Sequence, residues 1–176
     1  MVRVLTTVRA SGLPEAWVGA GAIRDLVWSE LFGAGFDPSA VRDVDVAYFD
    51  PGDLSRERDD LATARLEHIW PQLPWEARNQ AAVHTWYHHT FGGELVRPLW
   101  SIPEAIATWP ETATAVAVRL GRVGEIEICA PYGLDDLLAG IWRRNPSRVS
   151  LQCSRDRLAR HSPAARWPGV KVIPPE

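Results

Sequence analysis

At 176 residues, with 46% hydrophobic and 23% charged side chains, the chain has the composition of an ordinary globular protein and the length of one domain rather than two. Nothing in it approaches the ~18 uninterrupted apolar residues of a membrane span, and the opening "MVRVLTTVRASGLPEAW" lacks the apolar core and small-residue cleavage site of an export signal. A net charge of −3, with Lys171 the single lysine among 19 basic residues, excludes a whole-surface field for nucleic acid but leaves room for a local arginine patch.

The first clear element is "AWVGAG", a short buried strand ending in a glycine turn. A helix from about Ala22 follows, with Ile23, Leu26, Val27 and Leu31 at three- and four-residue spacing, and "FGAGFDPSA" stops it. "VRDVDVAYF" alternates acidic and apolar residues, the period-two signature of a strand with one polar and one buried face. After the turn "DPGD", residues 53–70 read as a mostly solvated helix with a cap at Asp53 and apolar positions Leu54, Leu61, Leu66 and Ile69, ended by Pro71 and Pro74.

"WEARNQ" reads as a strand, followed by a helix or loop over "AAVHTWYHH". "IPEAIATW" is helical, "TATAVAVRL" and "GEIEICA" pair around Gly121 to Gly124, and "GLDDLLAGIWRR" is the final amphipathic helix. The domain spans 1–176, and its proline-rich end, 161–176, packs as an extended strap. This order of elements predicts a mixed sheet flanked by helices rather than a regular doubly wound one. The two cysteines, Cys129 and Cys153, are expected to be reduced thiols in a cytoplasmic protein. Most of the nine tryptophans are expected in the core, with some lining a pocket or interface.

The acids carry the chemistry. Residues two apart on a strand face the same way, so Asp43 and Asp45 project their carboxylates together, roughly 6–7 Å apart at the backbone, while Val44 and Val46 face the core. Like charges so placed are tolerated when solvated, bridged by an arginine or neutralised by a divalent cation. Mg²⁺ is characteristically held by one or two carboxylates plus substrate phosphates. Phosphoryl and nucleotidyl transfer also need a third acid, to complete the metal cage or accept a proton. Glu76 on the next strand is the first choice, with Glu125 and Glu127 in reserve. Backbone N–H groups of Gly21 and Ala22 at a helix start offer an anion site, and Arg24 a charge-assisted contact.

Glycine turn, "AIRD" and acidic strand, in this order, resemble the polymerase-beta-like nucleotidyltransferase superfamily, whose tRNA-tailing members read Gly-Gly-x-x-Arg-Asp followed by Asp-x-Asp. Here the pattern falls on Ala20, Gly21, Arg24 and Asp25, then Asp43 and Asp45. Ala20 departs from the usual first glycine, with Gly19 just before it. The segments "GAGAIRDLVW", "DVDVAYFD", "WEARNQAAVH", "WPETATAVAVRL", "APYGLDDLL" and "RWPGVKV" resemble more closely still a small bacterial family of nucleotidyltransferase-like proteins.

The resemblance implies an α+β nucleotidyltransferase fold. It implies Mg²⁺ or Mn²⁺ on Asp43, Asp45 and Glu76, a nucleoside triphosphate on Gly19, Ala20, Gly21, Ala22 and Arg24, and transfer of a nucleoside monophosphate to a small acceptor rather than to nucleic acid. The alternative is a nucleotide-binding or interaction module that keeps the fold without turnover. Elsewhere, Asn79 and Gln80 are expected to form a polar shelf for the second substrate, and Asp135 and Asp136 to cap a helix. His84 and His88, four apart with His89 beside them, have zinc-ligand spacing but no HExxH or cysteine partner.

Overall fold

The computed structural model describes residues 1–91 and 96–176. It is built on a five-stranded sheet comprising β1 (Trp17–Gly19), β2 (Val44–Tyr48), β3 (Trp75–Asn79), β4 (Ala117–Leu120) and β5 (Ile126–Cys129), in the spatial order β3-β2-β1-β4-β5. Within this sheet β2 and β3 are the parallel pair, because a helix, α3 (Arg56–Ile69), carries the chain back across the sheet between them. β1 is antiparallel to both β2 and β4, and β4–β5 is a hairpin. The sheet is therefore mixed, as the order of elements predicts.

Strand alternation divides the molecule into two faces. Val18, Val44, Val46, Tyr48 and Ala77 belong to the larger core, with Leu5 and Val8 of α1 (Val2–Ser11) and Ala62 and Leu66 of α3. Each large apolar side chain buried there contributes about 1.5–3 kcal/mol. Trp17, Ala47 and Ala117 belong to a smaller cluster with Trp109 and with Ile102 and Ile106 of α5 (Ile102–Ile106), a helix capped by Ser101. Asp45, two residues from Ala47, alternates onto this second face. The helix α1, ended by Gly12 at φ 65°, has no counterpart among the expected elements.

Two details of α3 differ from the sequence reading. Its cap is Ser55, whose hydroxyl accepts from the Arg58 N–H at 3.3 Å, while Asp53 accepts from Ser55 N–H in the preceding turn. Leu54, Leu61 and Ile69 are exposed, and the buried stripe is Asp59, Ala62 and Leu66. Asp59 accepts from the Tyr48 hydroxyl at 2.8 Å and the Asn79 N–H at 2.7 Å. It pins α3 to the ends of β2 and β3. "AAVHTWYHH" resolves into a 3₁₀ turn and the helix α4 (Val83–Phe91).

The last third differs most. "GLDDLLAGIWRR" contains only a one-turn helix, α6 (Asp135–Leu138). Gly140 then adopts φ 66°, and a Cβ there would lie 2.8 Å from the Phe32 ring. The chain continues as the extended β6 (Ile141–Trp142), which lets the fully buried Trp142 reach Trp28. Burial of that ring overrides the helical pattern. The helices α7 (Leu151–His161) and α8 (Pro163–Arg166) follow, before β7 (Lys171–Val172) pairs in parallel with β6. Residues 161–176 thus run from the end of α7 through α8 and β7.

Candidate functional site

β1 ends at Gly19 and α2 (Ala20–Phe32) begins at once. The turn is tight because Gly19 has no side chain: a Cβ there would lie 2.6 Å from the Trp109 ring and 3.0 Å from the Ala117 Cβ. Gly19 is therefore a packing glycine. The left-handed backbone falls instead on Ala20, at φ 51°, a conformation costing a residue with a Cβ roughly 1–2 kcal/mol. The N–H of Ala20 is held by the Val116 carbonyl at 3.2 Å.

The first turn of α2 overlooks a cavity of about 420 Å³, which Asp43, Asp45 and Glu76 also line. Asp45 sits in β2 in register with Glu76 of β3, and Asp43 lies just before β2. A Cβ on Gly21 would be 3.8 Å from an Asp45 oxygen and 3.9 Å from an Asp43 oxygen, so the turn comes within van der Waals reach of both carboxylates. Burial raises the Asp45 carboxyl to about 7, with the Asp43 and Glu76 charges adding to it and the Gly21 N–H and Arg24 opposing. Asp43 is raised too, by burial first and then by Glu76 and Asp25. Neither aspartate has an ion-pair partner among the described residues. Glu76 is held at 2.9 Å by Arg78, which also approaches Asp59 at 3.8 Å.

The reserve acids are elsewhere. Glu127 binds Arg119 at 2.7 Å, Glu125 accepts from the Val123 N–H at 3.1 Å, and both line a separate cavity with residues of α1 and β4. Among the described residues no three His, Cys, Asp or Glu side chains form a group able to hold a metal ion. A pair of hard oxygen donors with Glu76 alongside nevertheless suits Mg²⁺ or Mn²⁺, which completes its shell with phosphate oxygens and water.

Arginines of α2, α7 and α8 line the same cavity. Arg24, only 3% exposed, forks onto Asp25 at 2.9 and 2.6 Å and lies 5.3–5.9 Å from the ring centres of Trp28, Trp142 and Trp167. Arg166 of α8 reaches the other Asp25 oxygen at 2.7 Å. Arg157 of α7 forms a bidentate pair with Glu111 at 2.7 and 2.9 Å, and Glu111, 1% exposed, also accepts from the Thr114 hydroxyl. Arg160 and His161 complete this set. His161 stacks on Trp142 at 5.5 Å, and burial together with Arg24 and Arg157 lowers it to about 4.

The sequence reading does not include Arg157, Arg160, His161 or Arg166. The available signal is "SLQCSRDRLARH": a serine cap followed by Arg157, Arg160 and His161 at i, i+3 and i+4, one face of a helix. Asn79 is not on a substrate shelf. It is fully buried, with its amide donating to the Asp50 and Asp53 carbonyls at 2.7 and 2.9 Å, whereas Gln80 does line the cavity. Asp136 binds Arg143 and the Thr112 hydroxyl, and α6 has no side-chain cap. His84, His88 and His89 lie on α4. Of the nine tryptophans, Trp109 lines the cavity. Both cysteines are free thiols.

A nucleotidyltransferase family model matches residues 6–172. The chain belongs to that family. Nucleotidyltransferases of this kind share the α+β fold of the polymerase-beta-like superfamily. A structure described as revealing a CCA-adding enzyme head domain, solved by NMR, is similar at 30% identity and a TM-score of 0.81, over 97% of this chain and 87% of that one.

A CCA-adding enzyme in complex with CTP matches at 12% identity and a TM-score of 0.53, over 98% of this chain and 39% of that one. The Bacillus stearothermophilus CCA-adding enzyme, also with CTP, matches at 16% and 0.50, over 99% and 40%. These two share the fold, and the chain spans about two fifths of their length. Among proteins of curated function, none matches the sequence. No helix among the described residues is long and apolar enough to cross a membrane.

Proposed function

We propose that the protein transfers a nucleoside monophosphate from a nucleoside triphosphate to a small-molecule acceptor, with Asp43, Asp45 and Glu76 as the catalytic acids. The observation that carries this reading is the pair of aspartates without cation partners at the mouth of the α2 turn, 3.8–3.9 Å from where a Gly21 side chain would begin. Holding two such carboxylates together, Asp45 half-buried and Asp43 exposed beside it, is unfavourable without a counter-ion. The arrangement makes sense as half of a site whose other half arrives with the substrate. The CTP complexes of the two CCA-adding enzymes support the same choice of ligand class.

Asp43 and Asp45 would hold Mg²⁺ or Mn²⁺, with Glu76 as the third carboxylate. When bound, the ion neutralises the acids and draws charge from the phosphates. The start of α2, from Gly19 through Ala22, directs its dipole at the triphosphate, and Arg24 adds fixed positive charge behind it. An acceptor hydroxyl or phosphate oxygen attacks the α-phosphorus. A new P–O bond forms, the bond from that phosphorus to the β-phosphate bridging oxygen breaks, and pyrophosphate leaves with the electron pair. Where the acceptor is a hydroxyl, its proton passes to Glu76, which is 43% exposed at the cavity edge.

The test is thermal shift with ATP, CTP, GTP and UTP, in Mg²⁺ and in EDTA, on the native chain and on Asp43→Ala/Asp45→Ala. A metal-dependent rise that disappears in the variant is expected, and the absence of any rise in the native chain overturns the reading. A second reading, nucleotide binding without turnover, draws on Ala20 at φ 51° and on Arg78 already occupying Glu76. It predicts the same shift with no pyrophosphate released.

A further inference from the structure

We infer that the arginines of α7 and α8, above all Arg160, bind the β- and γ-phosphates of the triphosphate and receive the pyrophosphate as it leaves; this rests on the nucleotidyl-transfer reading.

The chain as a whole carries −3, yet the cavity lining holds six arginines against four carboxylates. Two of those carboxylates are Asp43 and Asp45, assigned above to the metal. Arg42 adjoins Asp43 and Arg78 pairs with Glu76, so the positive surplus lies with Arg24, Arg157, Arg160 and Arg166.

How each arginine is engaged separates them. Arg24 and Arg166 share Asp25, Arg157 is closed by Glu111 and Arg78 by Glu76, which leaves Arg42, next to Asp43 in the chain, and Arg160. Arg160 lines the cavity with no carboxylate within ion-pair distance among the described residues. It stands one helical turn beyond Arg157 on the same face of α7, so its position is set by the buried Arg157–Glu111 pair while its guanidinium remains available. His161 beside it stays uncharged near neutral pH, because burial and the arginines of this wall disfavour a further cation there. An uncharged imidazole leaves the existing positive charge to the guanidinium groups.

The geometry also selects the part of the nucleotide. Arg24 and Arg166 meet at Asp25, in the first turns of α2. The arginine wall and the α2 start therefore converge on the same end of the cavity, the end that the triphosphate reading gives to the phosphates. Guanidinium pairs with phosphate through two parallel N–H groups and keeps its charge at any working pH. Placed there, it stabilises the charge that accumulates on the leaving pyrophosphate.

The experiment measures dissociation constants of ATP, CTP, GTP and UTP and of the four nucleoside monophosphates, in Mg²⁺. The proteins are the native chain, Arg160→Ala, Arg160→Lys and Arg56→Ala. Arg56 is an exposed α3 residue paired with Asp60 at 3.6 Å and absent from the cavity lining, so it controls for the loss of one positive charge. Arg160→Ala is expected to weaken triphosphate binding about tenfold while monophosphate binding stays within about twofold. Arg160→Lys should restore part of the loss, and Arg56→Ala should change neither ligand. Unchanged triphosphate affinity in Arg160→Ala, equal losses for both ligands, or an equal loss in Arg56→Ala overturns the inference and leaves the transfer reading standing. A native chain that binds none of the four triphosphates overturns both.

Discussion

The cavity has two walls built on opposite electrostatic principles. The acidic wall is local: Asp43 and Asp45 sit two residues apart, and Glu76 stands in register with Asp45 on the neighbouring strand. Its members repel one another, and burial holds two of them above their usual range. The basic wall is assembled from α2, α7 and α8, and three of its arginines are bound to buried or half-buried carboxylates. Most of the basic wall is thus neutralised within the protein, while Asp43 and Asp45 have no ion-pair partner among the described residues. Removing a charge should therefore have opposite effects on the two sides.

The largest effect is expected in the basic wall. Glu111→Ala strands Arg157 beside an empty, 1%-exposed site, and breaking a buried pair in this way costs about 3–5 kcal/mol. Chemical denaturation should record that loss, and a change below about 1 kcal/mol would mean the pair contributes nothing to the wall.

In the acidic wall the sign reverses. Asp45 titrates near 7 in the folded chain against an ordinary value of 3.8. Between those values the native state holds more protons than the unfolded state, so this group's contribution to stability falls as pH rises. Asp45→Asn in EDTA should therefore be more stable than the native chain at pH 8, by about 1–3 kcal/mol, and gain little at pH 4. Thermal melts across that range check it, and equal differences at both pH values would remove the electrostatic account.

The smallest effect concerns the hinge between the walls. Ala20→Gly relieves the left-handed strain at φ 51° and should stabilise by about 1 kcal/mol. A lowered melting temperature would show that the alanine methyl contributes packing that outweighs the strain.

The two walls also differed in legibility. Alternation in "RDVDVAY" and the strand at "WEARN" depend on near neighbours, and those elements lie where the pattern puts them. The basic wall depends on contacts distant in sequence: the Trp28 indole donates to the Leu137 carbonyl 109 residues away, and the Trp167 indole to Ser29 across 138. No window of sequence contains both partners. A long-range demand of the same kind, burial of Trp142, cut the helix expected over 133–144 short, to Asp135–Leu138. Asn79 is fixed by a separate set of contacts: its amide donates to the Asp50 and Asp53 carbonyls and has no hydrogens left to offer the cavity.

The pairing of Ile141–Trp142 with Lys171–Val172 fastens both ends of the segment that carries α7 and α8. Closing such a loop costs an entropy that grows only with the logarithm of its length, about 0.6 kcal/mol for each doubling. By that measure an insertion in the exposed turn at Pro146 and Ser147 carries little closure penalty, while α7 and α8 stay held by the Arg157–Glu111 pair and the buried Trp167. The segment tolerates added length between its anchors but not within the helices that bear the arginines.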